Sequence, residues 1–169
     1  MVKYLKIINN MDMKKILEFL KFIGLLLWQL PQSIIGWLMM LYFVIFGKVR
    51  LLGYKWGAYV FESDLMMGAI SLGTVIICSK YCAKRPEDIQ HELGHVKQSH
   101  MLGLLYLFII GIPSITWAGI YKYLGFKNYY QFYTESWANK LGYVEVVNYK
   151  DSYYYVRRIK NILDKWELF

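Results

Sequence analysis

His91-Glu92-Leu93-Gly94-His95 decides how the rest of this chain is read. Two histidines at i and i+4 share one helical face and can bind one divalent ion through their imidazole nitrogens. The glutamate between them can take a proton from a water on that ion. The helix carrying them is well specified. Pro86 fits its first position, where a missing N–H costs nothing, and Glu87 and Asp88 follow where the helix dipole favours negative charge. Gly94 lowers helix propensity, and a small residue there leaves room for another backbone to approach the metal.

Upstream, residues 69–78 are apolar and β-branched and read as one strand, paired as a hairpin with a strand over residues 56–62. Within it Ser71, Leu72, Gly73 and Thr74 are the candidate edge for an extended peptide lying across the metal. A plain core strand is the competing reading.

Zinc needs a third protein ligand and, in a catalytic site, an open position for water. His100 fails on geometry: at about 100° per residue it lies about 180° around the helix from His91, and reads as a surface or partner-facing histidine. Gln98, at i+7 from His91, shares the metal face and is placed to support a ligand. The better third ligand is Glu135, which opens the segment Glu135-Ser136-Trp137-Ala138-Asn139-Lys140-Leu141-Gly142. This reads as a helix with Lys140 in its last turn and Gly142 as its cap. Asn139 lies one turn after Glu135, where its amide oxygen can accept the Nδ1–H of a ligating histidine.

The two segments HELGHVKQSH and ESWANKLG together resemble the gluzincin zinc peptidases, and are especially similar to the membrane-embedded CaaX prenyl endopeptidase and HtpX heat-shock protease family. The resemblance implies His91, His95 and Glu135 as ligands of Zn²⁺ and Glu92 as general base. That family usually carries aspartate where this chain has Asn139. Tyr129, Tyr130 and Tyr133 just precede Glu135 and are the candidates for stabilising an oxyanion.

Composition points to a bilayer. The chain is 57% hydrophobic and 18% aromatic with a formal charge of +8, and its aromatics lie in apolar runs rather than among the basic residues. No nucleic-acid-binding motif accompanies the charge, which argues against a nucleic-acid partner. Cys78 and Cys82 lack a second pair and read as reduced thiols, and no cleavable signal peptide is recognisable.

Residues 22–46 and 101–121 contain no charged residue, and each is long enough to span a bilayer. Each also has a breaker near its middle, at Gln29–Ser33 and at Gly111–Ser114, with Ser33 and Ser114 placed to cap a restarting helix. Each reads either as a kinked span or as a hairpin of two short helices. The hairpin is preferred, because a single crossing by residues 101–121 would separate His91 from Glu135. Basic residues flank both stretches at both ends (Lys14, Lys15 and Lys21, Lys48 and Arg50, Lys97, Lys122 and Lys127), consistent with polar segments that all face the cytoplasm. From Tyr155 to Phe169 apolar residues recur at helical spacing among basic ones, as in an amphipathic helix at an interface or against the body, and Tyr153-Tyr154-Tyr155 suits an interfacial belt or a strand.

The expectation is therefore one α+β domain over residues 1–169: a minimal, mainly helical zincin-like fold with a short β-hairpin and hydrophobic helical hairpins at about 16–47 and 101–124. Its expected function is hydrolysis of peptide bonds in a peptide or protein substrate, on a monotopic membrane protein whose site faces the cytoplasm. The alternative is a catalytically inactive relative acting as a binding or assembly partner. Nothing in the sequence sets an oligomeric state.

Overall fold

Two helices, α1 (Val2–Trp28) and α2 (Leu30–Phe46), open the chain and meet at a bend of 102°. The computed structural model describes residues 2–149 and 153–163, with the backbone alone for residues 2–12, 14, 149 and 153. Pro31 sits in the first turn of α2, where proline is tolerated. The expected hairpin over residues 16–47 is thus an elbow, and its cause is polar. Gln29, Gln32 and Ser33 are fully buried, and Gln32 Nε2 donates to Ser99 Oγ at 3.0 Å and to the Gly103 carbonyl at 2.8 Å. Those bonds hold the start of α2 against the body, so the helix runs along the sheet instead of folding back on α1. Ser33 lies inside α2 rather than capping it.

Four strands follow: β1 (Val49–Lys55), β2 (Ala58–Ser63), β3 (Ala69–Leu72) and β4 (Val75–Cys78), in sheet order β1-β2-β4-β3. Trp56 and Gly57, both at positive φ (51° and 79°), turn β1 into β2. The single strand expected over residues 69–78 is two, because Gly73 at φ 60° reverses the chain. Its pairing with the strand near residues 56–62 is parallel through β4, not a hairpin. Ser71 and Leu72 therefore end the edge strand, whereas Gly73 and Thr74 form a buried turn under α2. There Trp37 Nε1 donates to Thr74 Oγ1 at 3.1 Å, and a Cβ on Gly73 would stand 2.2 Å from Ser33 Oγ.

β4 is buried along its whole length, as its uninterrupted Val75-Ile76-Ile77-Cys78 run requires of a central strand. Alternate residues supply two core layers. Ala58, Val60 and Ile76 pack on Ile89, Leu93 and Val96, whereas Phe61, Val75 and Ile77 pack on Phe43 of α2. The sheet is thereby held between α2 and the helix that carries the histidines.

Ser79 caps the short helix α3 (Lys80–Ala83), and α4 (Pro86–Leu102) begins, as expected, with Pro86, Glu87 and Asp88 in its first turn. It ends at Gly103, at φ 54°, against which the Trp28 indole lies: a Cβ on Gly103 would stand 2.3 Å from that ring. The break in the second apolar stretch is here, not at Gly111–Pro113. Residues 107–111 form a π-helical turn that runs directly into α5 (Ile112–Ile120). The wider turn accommodates Pro113, which has no N–H to donate, so residues 101–124 do not reverse at that proline. Ser114 lies within α5 and caps nothing. Among the described residues no single helix is long and apolar enough to cross a membrane; residues 15–28 and 30–46 reach that length only together, across the bend.

α6 (Tyr133–Gly142) packs on α4, and β5 (Val144–Tyr149) pairs antiparallel with β6 (Tyr153–Arg158). The described start of the segment expected as a helix from Tyr155 to Phe169 is therefore strand to Arg158 and irregular chain from 159 to 163. The run Tyr153–Val156 is β-prone and pairs with residues 146–149 of β5, and Val156 is buried. Beyond β6, Gln90 binds the returning chain: its Nε2 donates to the Gly142 and Lys160 carbonyls, and its Oε1 accepts from the Ile162 N–H. Trp166 and Phe169 lie outside the described residues.

α4 and α6 cross backbone to backbone. A Cβ on Gly94 would stand 2.0 Å from the Ala138 carbonyl oxygen, and one on Gly142 2.1 Å from that of Gln90. Gly142 is thus kept for closeness rather than as a cap; Tyr143 takes the left-handed position that ends the helix (φ 56°). Since backbone rather than a flexible side chain blocks the space, Gly142→Ala is expected to lower stability by at least ~2 kcal/mol. Gly119→Ala, in open space on α5, is expected to be neutral or slightly stabilising. Chemical denaturation of the two variants in one detergent checks this.

Candidate metal centre

The close crossing of α4 and α6 is what assembles the site. α4 presents His91 and His95 one turn apart, and the first turn of α6 presents Glu135 opposite them. His91 Nε2 lies 3.2 Å and His95 Nε2 3.6 Å from Glu135 Oε2. The three donor groups lie within 4.8 Å of one another, and all three residues are buried.

The atoms behind these donors are held as well. His91 Nδ1 donates to Asn139 Oδ1 at 2.7 Å, and His95 Nδ1 donates to Gln98 Oε1 at the same distance. Gln98 Nε2 donates to the Thr134 carbonyl at 2.8 Å, which fixes which end of that amide faces the histidine. With a proton on each Nδ1, each Nε2 keeps its lone pair toward the centre. Glu135 Oε1 accepts from Ser114 Oγ at 2.5 Å and from Thr134 Oγ1 at 3.0 Å, leaving Oε2 turned inward. Two imidazole nitrogens and one carboxylate oxygen thus converge with their outer atoms satisfied, an arrangement that can hold a divalent ion. Asn139 departs from this economy: its Nδ2 is buried with no hydrogen-bond partner.

Charge in the site is polarised. Burial by itself would raise Glu135, but when His91 and His95 carry a proton on Nε2 the hydrogen bonds they then donate hold its carboxyl well below the usual carboxylate range, and a divalent ion takes the place of those protons. Burial pushes Glu92 up to about 7, with His91 opposing and Glu135 and Asp88 adding to the rise.

A cavity of about 400 Å³ lies beside the three donors. β3 forms one wall from Ala69 to Leu72, Glu92 and Asp88 of α4 form another, and Ser114 and Ile115 of α5 close it. Of the expected peptide edge, Ser71 and Leu72 line this cavity, while Gly73 and Thr74 do not. Tyr129 and Tyr130 also line it, with the Tyr130 ring edge-on to His91 at 5.6 Å between centroids. Tyr133 is excluded: its hydroxyl donates to the Ile109 carbonyl at 2.5 Å. Two residues before Glu135 is about 200° around the helix, so Tyr133 faces away from the metal side. His100 is likewise away from the three donors, as its helical position requires, and it is half-buried rather than on the open surface. It lies against Gly57, as Leu25 does, and burial, with Lys97 nearby, lowers its pKa.

Several contributors escaped the sequence. Asp88 lines the cavity and is three residues before His91, a spacing that could have found it. Ser114 and Thr134 hold Glu135, and the buried Tyr106 donates to the Ser71 carbonyl at 3.4 Å. Apart from Thr134, no local pattern links these residues to the ligands. Cys78 and Cys82 are free thiols, and burial pushes Cys78 up to about 12.

The fold and site define an α+β protein with a buried His-His-Glu group able to bind a metal ion. Comparison with known proteins adds no relative: the chain matches no protein-family model, no curated protein and no solved structure.

The supports carry a graded expectation for metal content. Gln98→Ala and Asn139→Ala should each weaken metal affinity by about 10- to 100-fold, the usual scale for groups that orient a ligand. Glu135→Ala should weaken it further, and His100→Ala should leave it unchanged. Competition with a chromophoric chelator measures all four, and equal effects of Glu135→Ala and His100→Ala would reject this ligand set.

Proposed function

We propose that this chain is a membrane-associated, zinc-dependent metallopeptidase with a minimal zincin-like fold, similar to the CaaX prenyl endopeptidase and HtpX group. The observation that carries the reading is the convergence of His91, His95 and Glu135 beside a cavity that Glu92 also lines. Two histidines and a glutamate are the donor set of catalytic zinc sites that retain an open position. Zn²⁺, when bound by these residues, supplies Lewis acidity toward a peptide carbonyl and toward water.

The chain's own residues supply the rest. Glu92 accepts a proton from the attacking water and returns it to the leaving amine, which requires a carboxylate held dry and close to the donors. The outer edge of β3 from Ala69 to Leu72 offers backbone N–H and carbonyl groups to an extended peptide. Tyr129 and Tyr130 are the remaining hydroxyls for stabilising a developing oxyanion, now that Tyr133 is otherwise engaged.

Membrane association is supported by the outer faces of the helices. Leu30, Ile34, Leu38, Leu41 and Ile45 of α2 are exposed along one stripe, and Leu104, Phe108, Ile112 and Ile115 are exposed on the second apolar stretch. These faces exceed the scattered apolar residues normal on a soluble surface and suit insertion into one leaflet. Ligands on both sides of residues 101–121 are brought to one centre, as a monotopic arrangement requires. The unpartnered Nδ2 of Asn139 favours a second reading, a metal-binding relative without activity that serves as a binding partner.

Glu92→Gln separates the two readings. For an enzyme, metal content should be retained while cleavage of a substrate protein falls by at least about 10²-fold; cleavage equal to that of the unmodified chain would sink the mechanism.

Topology is tested independently of activity. With Cys78 and Cys82 replaced by alanine, single cysteines at the exposed Lys84 and Lys127 should label from the same face of sealed vesicles. Detergent but not high salt should release the protein. Labelling from opposite faces would mean that residues 101–121 cross the bilayer.

A further inference from the structure

α1 touches the body only near its C-terminal end in the described side chains. Phe22 meets Tyr59 edge-on at 5.7 Å between ring centroids, Leu25 packs over Gly57, and Trp28 Nε1 donates to the His100 carbonyl at 2.9 Å. The same helical stripe continues toward the N-terminus through Phe19 and Lys15, at i−3 and i−7 from Phe22. There the helix and the sheet enclose a wedge of about 450 Å³, lined by Lys15, Phe19, Phe22 and Tyr59. Its floor is aromatic, since Tyr59 is flanked by Tyr54 at 5.0 Å and by Trp37 of α2 at 5.8 Å. Both arms of the elbow therefore touch the residue at the base of the wedge.

From this geometry we propose that the wedge binds one anionic phospholipid, with an acyl chain on Phe19, Phe22 and Tyr59 and the phosphate on Lys15. The volume falls within the range of small-molecule sites. A cavity this apolar, with Lys15 the one cation among its described lining residues, selects an apolar chain that ends in an anion. Lys15 is exposed and carries no ion pair among the described residues, in contrast to Lys21, which is paired with Glu18 at 2.8 Å. The source is the bilayer rather than a soluble ligand, because the wedge is continuous with the exposed apolar residues Ile16, Phe19 and Leu20 on the helix that leads into the charge-free stretch. The lipid would fill the angle between α1 and the sheet. This inference rests on the membrane-association part of the reading above and is independent of zinc and of hydrolysis.

The test is native mass spectrometry of the full chain in detergent, after incubation with equal amounts of phosphatidylglycerol and phosphatidylcholine of matched acyl chains. The expected result is one retained phosphatidylglycerol per chain. Lys15→Gln should reduce the phosphatidylglycerol preference roughly fivefold, the scale of one basic residue at an anionic surface. Phe19→Ala should weaken retention of both lipids, and Lys21→Gln should change neither. Lys15 and Phe19 are exposed, so these variants should fold, which circular dichroism and metal content verify. Equal retention of the two lipids, an equal effect of Lys15→Gln and Lys21→Gln, or no retained lipid would each overturn the proposal. Flotation of the unmodified protein with phosphatidylglycerol vesicles tells the two failures apart. Flotation without a Lys15-dependent lipid sinks the wedge alone, and absence of flotation sinks membrane association itself.

Discussion

Everything in this structure depends on how closely α4 and α6 cross. Gly94 and Gly142 remove the two side chains that would separate them, and each helix then rests on a carbonyl of the other. Only at that separation does one carboxylate oxygen of Glu135 reach the Nε2 atoms of both histidines. Two glycines in helices cost propensity, about 1 kcal/mol each relative to alanine, and that cost is offset by the contact they permit. The E-x-x-A-N-x-x-G pattern acquires a physical meaning here. Its first position is the donor, its alanine and glycine are the contact surface, and its asparagine orients a histidine.

The same crossing places the second layer of the site. Gln98 and Asn139 each hold the outer nitrogen of one imidazole, and Ser114 and Thr134 hold the outer oxygen of Glu135. Gln32 reaches Ser99, immediately after Gln98, from the elbow of the two hydrophobic helices. The apolar N-terminal part of the chain is thereby tied by buried amides to the helix that carries the two histidines. A buried amide commits its groups to fixed partners, and here that commitment turns a charge-free stretch into a bent arm lying on the sheet.

What a proline or glycine does in this chain is set by what packs beside it. Pro113 ends nothing because a π-helical turn makes room for it, and the actual break is Gly103, where Trp28 lies on the backbone. Gly73, read as part of a strand, is a turn beneath Ser33. Gly142, read as a cap, is a contact. The C-terminal apolar spacing fitted a helix, but Val156 faces the core in a strand that β5 was available to pair.

The sequence by itself determined what depends on neighbours within one helical turn or one strand. That includes the shared face of His91 and His95, the exclusion of His100 from it, the Pro86 start of α4, the position of Glu135 one turn before Asn139, and the two charge-free stretches. The tertiary structure decided what depends on distance between elements: which tyrosines reach the cavity, that Ser114 supports a ligand 21 residues away, the parallel pairing of β2 with β4, and the 102° elbow. The division follows from the forces involved. Helical phase is set by backbone geometry and can be counted along a chain. A crossing distance is set by side chains that are absent, and by buried polar groups whose partners lie far away in sequence.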